Sequence, residues 1–165
     1  MPGQKMSKQY YHPDTYTTRN SIGYLVKRAH GLSLDSLEPG LAEHGLTFTQ
    51  YAVLMALRDD LALNPKDICI KLRHDSGALT RVLDQLEARG LVERHRSAED
   101  RRAIELHLTA QGHAALKTVV PLVVERINGA IKDFSPAETD ELLRLLNKLI
   151  LGLHAEIADQ SGASA

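Results

Sequence analysis

The feature that most constrains this chain is a change of hydrophobic period near its middle. From Asn64 to Arg89 the apolar residues recur at helical spacing, whereas from Leu91 to Leu108 they alternate. Asn64–Pro65 sets a cap and then a proline at the first helical position, where the missing N–H costs nothing, so a short helix is predicted to about Leu72. Arg73, His74 and Asp75 form a turn, and Asp75 or Ser76 caps a second helix that runs to Arg89 and stops at Gly90. Leu91–Arg94 and Ala103–Leu108 then read as two short strands, with Ile104, Leu106 and Leu108 on one face. The charged stretch from Arg96 to Arg102 lies between them, which makes a hairpin with a polar tip.

Two helices joined by a tight turn and followed by a hairpin, from about Asn64 to Leu108, make a winged helix-turn-helix, whose second helix is of a size to enter a DNA major groove. The flanking segments are helical. Thr47–Gln50 is a capping box that opens a helix to about Arg58, with Tyr51, Leu54 and Leu57 on one face. Thr109 caps a long helix from Ala110 to about Phe134, in which Pro121 predicts a kink. Ser135–Glu138 is a second capping box, opening a last helix to about Ala158 with the stripe Leu142, Leu145, Leu146, Leu149, Leu153 and Ile157. At the other end Thr18 to about Leu41 carries Ile22, Leu25, Ala29, Leu32 and Leu37, with Pro39 expected to bend or end that helix. The fold class is therefore α+β, mostly α. Its parts are an arm at 1–17, a helix at 18–45, a winged lobe at 46–109, two helices at 110–158 and a frayed tail at 159–165.

Composition narrows the class of function. The 165 residues fit one ordinary domain, and 43% hydrophobic with 25% charged residues is the balance of a folded chain rather than a disordered one. A formal net charge of -1 gives no overall attraction to nucleic acid, so any such attraction has to be local. Locally it is present: five arginines face Glu93, Glu99 and Asp100 between Arg89 and Arg102, and five basic residues face Asp14 alone between 1 and 32. Residues 133–160 are acidic instead, with six carboxylates against Arg144 and Lys148. The lone Cys69 excludes a disulfide within the chain and a multi-cysteine zinc site. No leader-like apolar segment opens the sequence and no stretch approaches the roughly 18 apolar residues that span a bilayer, so a cytoplasmic location with no membrane partner is expected.

Ser76, Gly77, Ala78, Thr80 and Arg81 form the exposed start of the candidate recognition helix, while Leu79, Val82, Leu83 and Leu86 supply its buried face. Small residues there allow close approach to a phosphate, and Thr80 and Arg81 can reach base edges, arginine pairing best with guanine O6 and N7. Arg102 at the hairpin tip is the candidate for insertion into the minor groove. Asp100 would orient Arg101 or Arg102 through a charge-assisted hydrogen bond, and Arg94 and Arg96 would contact phosphates or hold the wing to the body.

Asp75–Arg81, Leu86–Arg94, Asp100–Arg102, Leu108–Gly112 and the earlier Leu46–Leu54 stand in an order that resembles the MarR family of bacterial transcription regulators across about residues 18–158. The resemblance implies a homodimer whose first and last helices intertwine, two winged lobes on a pseudo-palindromic double-stranded operator, and repression relieved by a small organic ligand. The stripes at Ile22–Leu37 and Leu142–Ile157 fit a dimer surface, and core packing within one chain would explain them equally well. A ligand cleft between the terminal helices and the winged lobe would bring in Tyr24, Arg28 and His30, for which an ordinary exposed helix face is the other reading. Tyr10, Tyr11 and Tyr16 of the arm could cover a ligand or a partner subunit.

Other signals are weaker. Cys69 sits with Ile68 and Leu72 on an apolar face, as packing cysteines do, and peroxide-sensing family members carry theirs in the first helix. The histidines, among them His30, His44, His107 and His113, are scattered without a His-x-x-x-His pair, so no metal and no cofactor is expected, and a metal- or redox-responsive regulator is the alternative. No nucleophile motif, phosphate-binding glycine loop or His-Glu-x-x-His is present, which argues against an enzyme. A winged helix can also serve as a protein-interaction module, but cationic residues on both the second helix and the wing favour DNA.

Overall fold

The computed structural model describes residues 10–60, 63–97 and 103–162. Asp100, Arg101 and Arg102, assigned to the wing tip from sequence, lie outside the described residues, as does most of the arm. Its helices are α1 (Ile22–Glu43), α2 (Phe48–Asp59), α3 (Pro65–Leu72), α4 (Ser76–Ala88), α5 (Ala110–Ala130) and α6 (Pro136–Gly162). Two antiparallel strands, β1 (Val92–Arg96) and β2 (Ile104–Leu108), stand between α4 and α5. The chain forms two compact units that divide after Val123.

The first unit is built round α2, α3 and α4, whose buried leucines and isoleucine, including Leu54, Leu57, Ile68, Leu79, Leu83 and Leu86, close one core with Leu106 of the hairpin. Local chemistry sets the ends of these helices. Thr47 and Gln50 form the expected capping box, and Asn64 and Asp75 cap α3 and α4. α1 and α4 end alike, on glycines at positive φ, Gly45 at 70° and Gly90 at 65°. In each, the amide after the glycine reaches five residues back, Leu46 N to Leu41 O at 3.0 Å and Leu91 N to Leu86 O at 2.9 Å, so the carbonyls left at the helix ends are satisfied. α3 ends on Arg73 in the left-handed region at φ 53°, a conformation unusual for a side chain of that size.

Several elements depart from the sequence expectation. α1 starts at Ile22 rather than near Thr18, because Ser21 caps it: its hydroxyl accepts from Tyr24 N at 3.2 Å. Pro39 does not end α1, which runs on to Glu43; the adjoining Gly40 lets Leu122 approach so closely that a Cβ there would lie 2.7 Å from a Leu122 methyl. Leu63 contributes a backbone bridge to Leu106, donated from Leu106 N to Leu63 O at 2.8 Å, and so adds a third segment to the wing base. Ile104 is exposed, since it stands at the outer end of the hairpin, beyond the core that buries Leu106. In the arm, Tyr11 packs edge to face against both Tyr10 and Tyr16, and its hydroxyl accepts from Ile22 N and donates to Asn20 O. This end of the arm is a structured cap on α1.

In the second unit, Ser135 and Glu138 close the predicted capping box: Ser135 N donates to the Glu138 carboxylate at 2.8 Å, and Glu138 N to Ser135 Oγ at 3.3 Å. These bonds from Ser135 hold the Glu138 carboxyl below its usual range. α6 continues past Ala158 to Gly162, where Ser161 Oγ donates back to Ile157 O at 2.8 Å. No residue of α6 is buried, and Leu142, Leu145, Leu146, Leu153 and Ile157 of its stripe are exposed. None of the described helices is long and apolar enough to cross a membrane.

Candidate nucleic-acid interface

α4 is held near its C-terminal end. At its C-terminus Arg89 Nη1 donates to Gly45 O at 2.7 Å, and within the helix Gln85 Oε1 accepts from Gln50 Nε2 at 3.0 Å. The buried Gln50 thereby serves two purposes, capping α2 and fixing α4 against it. Sequence reasoning recognised the cap and missed this second contact, because residues 50 and 85 meet only in the folded chain. The face so fixed buries Leu79, Leu83 and Leu86 and leaves Ser76, Gly77, Ala78, Thr80 and Arg81 exposed, as the helical period requires.

The start of α4 is partly occupied by its own cap. Asp75 Oδ1 accepts from Gly77 N at 2.9 Å and from Ala78 N at 3.0 Å, so those two amides are already satisfied. The Thr80 hydroxyl donates back to Ser76 O at 2.8 Å, which leaves its oxygen as an acceptor. Arg81 alone among the five has a long cationic side chain, and that side chain has no ion pair or hydrogen-bond partner among the described residues. It is the group free to pair with a base or phosphate.

The hairpin stands on α4 through Arg94. Its guanidinium pairs with Asp84 at 2.7 Å and with Glu87, while only about a quarter of its side chain is exposed. Of the two roles the sequence leaves open for Arg94, the structure supplies the second: it clamps β1 to the outer face of α4. Arg96, two residues on and exposed, has no side-chain partner among the described residues and remains available to a phosphate. Beyond it Ser97 N donates to Ala103 O at 3.0 Å, closing the base of the tip. Arg94→Ala should lower unfolding free energy by about 1 kcal/mol, the range for half-exposed ion pairs, and free the hairpin to move against α4. Urea unfolding of the variant, with hydrogen exchange at Val92–Arg96, measures both effects.

The residues considered for a small molecule separate. His30 packs edge-on against Phe48, ring centroids 6.1 Å apart, and lines a cavity of about 210 Å³ with Leu34, Glu38, Leu72 and His74. Tyr24 and Arg28 are exposed on α1 and line none of the cavities described. His74, which sequence reasoning passed over as a turn residue, forms the wall of that cavity one position before the Asp75 cap of α4. Cys69 is half-buried against the core, as its apolar spacing suggested. Tyr51 beneath Phe48 is buried, and that burial pushes its phenol up.

Comparison with known proteins agrees with this architecture. The sequence profile of the MarR family matches residues 44–103, the segment from the end of α1 to the start of β2. The HTH-type transcriptional regulator YkoM of Bacillus subtilis is 35% identical over 114 residues, 69% of this chain and 73% of the relative. Among solved structures, a cysteine-to-serine mutant of MarR from E. coli complexed with operator DNA superposes with a TM-score of 0.68 at 29% identity, covering 78% of this chain and 92% of that one. BpsR of Bordetella bronchiseptica, whose DNA binding is regulated by 6-hydroxynicotinic acid, superposes with a TM-score of 0.70 at 28% identity over 81% and 96% of the two chains. A winged helix-turn-helix with these relatives is not an enzyme, and the chain belongs to the MarR family of transcription regulators.

Proposed function

We propose that the chain is a homodimeric repressor that binds a pseudo-palindromic operator and is released from it by a small organic ligand, aromatic or phenolic. The observation that carries the DNA reading is the pair of exposed arginines without a side-chain partner among the described residues, Arg81 on α4 and Arg96 on β1, set on elements that Arg94 ties together. An interaction module would have no need of two exposed guanidinium groups, one on the second helix of the motif and one on the wing. Ser76, Gly77, Ala78 and Thr80 give α4 its close approach, Arg81 reads a base edge, and Arg96 anchors on phosphate. Arg102 is assigned to the minor groove, with Asp100 there to orient Arg101 or Arg102.

Arg81→Ala should weaken binding to the chain's own upstream region by about 1–3 kcal/mol and relax discrimination at one base pair. Fluorescence anisotropy against matched and singly altered duplexes measures this. An unchanged affinity and base preference would remove Arg81 from the interface.

The dimer reading rests on the exposed apolar faces of α1 and of α6, which in water need a partner of the same kind. The intertwined helices are residues 18–45 and 110–158, and the DNA-reading lobe is 46–109. The effector reading rests on the cavity at His30 and His74: an aromatic ring fits between Phe48, Leu34 and Leu72, and its occupancy bears on the turn that carries the Asp75 cap. BpsR offers a precedent in 6-hydroxynicotinic acid. A thermal-shift screen of aromatic acids and phenols should find a ligand that raises the midpoint of the wild-type chain and not of His30→Leu.

A further inference from the structure

The outer face of the β1–β2 hairpin carries four side chains that the DNA reading does not use. Strand alternation turns Val92 and Leu106 toward the core, so Glu93, His95, Glu105 and His107 share the opposite face. The antiparallel register sets Glu93 across from His107 and His95 across from Glu105. The two imidazoles therefore hold one diagonal, with ring centroids 5.0 Å apart, and the two carboxylates hold the other. His95 Nε2 lies 3.0 Å from Glu93 Oε1, and His107 Nε2 lies 3.4 Å from Glu105 Oε2. The donors are matched two by two in this structure, and no three of them surround a common point.

We propose that this face binds one divalent transition-metal ion of the zinc type, through His95 and His107 with Glu93 and Glu105 completing the set. Two imidazole nitrogens and two carboxylate oxygens are a ligand set that Zn²⁺ accepts in tetrahedral geometry. A tetrahedral ion with bonds of about 2.0–2.1 Å holds its donors about 3.3 Å apart, close to the 3.0 and 3.4 Å of the two His–Glu pairs. What remains is to bring the two pairs together, and that needs only side-chain rotation, because the register fixes directly opposed Cβ atoms about 4.5–5.5 Å apart. The side chains of Glu93 and His95 are about half exposed and those of Glu105 and His107 about a third, so they turn without disturbing the core. The pattern escapes a scan for His-x-x-x-His because its histidines lie twelve positions apart and meet only across the hairpin. A bound ion would tie β1 to β2 just below the tip and stiffen the wing.

The test uses chelator-stripped full-length chain without DNA, so its outcome is separate from that of the operator reading. Isothermal titration with Zn²⁺ should show one tight equivalent per chain, and Co²⁺ should give the visible absorption of a tetrahedral nitrogen and oxygen site. His95→Gln and His107→Gln should each weaken that equivalent at least about tenfold, since even loss of an outer-shell partner costs that much. The double variant should lose it while keeping its far-UV circular dichroism and ion-free thermal midpoint. Survival of the tight equivalent in the folded double variant, or weak binding spread over several sites in the wild type, would overturn the proposal.

Discussion

Gly112→Ala is expected to be the most damaging single-methyl change in the chain. A Cβ at Gly112 would lie 2.2 Å from the Leu91 carbonyl oxygen and 2.7 Å from Leu108 Cδ1. Backbone cannot step aside as a flexible side chain can, so the first turn of α5 has to lift away from the base of β1. That displacement also strains the joint made by Thr109, whose hydroxyl donates to Gly90 O at 2.6 Å and accepts from Gly112 N at 3.0 Å. A loss of about 2–4 kcal/mol follows, at the upper end of overpacking costs. Gly129→Ala is the control: a methyl there meets nothing within 4 Å, so helix propensity favours it by up to about 1 kcal/mol. Urea unfolding of the two variants beside the wild type gives both numbers, and equal midpoints would mean that α5 does not seat on the hairpin as described.

The second large effect belongs to the proposed association of two chains. Leu146→Glu with Leu153→Glu places two carboxylates on the exposed stripe of α6, where they cost nothing in a monomer and a great deal in an apolar contact. Sedimentation should change from dimer to monomer at micromolar concentration. Operator affinity should then fall by at least about 100-fold, because the second half-site is no longer bound at high effective concentration. Circular dichroism should stay close to wild type. A variant that remains dimeric would place the interface elsewhere.

Much of this architecture is legible in the sequence because the helix ends carry their own chemistry. Thr47 with Gln50, Asn64 with Asp67, and Ser135 with Glu138 satisfy orphan amides within three residues, so the signal is local. Gly90 was equally plain. What was not legible depends on residues far apart in sequence. Pro39 lies within α1, and Gly40 beside it packs against Leu122, eighty-two positions later. Leu63 joins the wing through Leu106, and Gln50 reaches Gln85; neither has a sequence motif.

The candidate interface divides in the same way. Helical period alone exposes Ser76 to Arg81 and buries Leu79, and the structure agrees. Whether an arginine is free or occupied is a matter of tertiary contact. Arg94 is held by Asp84 and Glu87 on a different element, while Arg96 has no side-chain partner among the described residues, although in the sequence the two look alike. His95 and His107 show the same limit, since only strand register brings them together.

The most direct test of the central claim is a hydroxyl-radical footprint of the purified protein on its own upstream region. Two recognition helices related by a two-fold axis should protect two segments of backbone about one helical turn, 10–10.5 base pairs, apart centre to centre, with both protections lost together in Arg81→Ala. No protection, or a single protected segment that Arg81→Ala leaves intact, would contradict it.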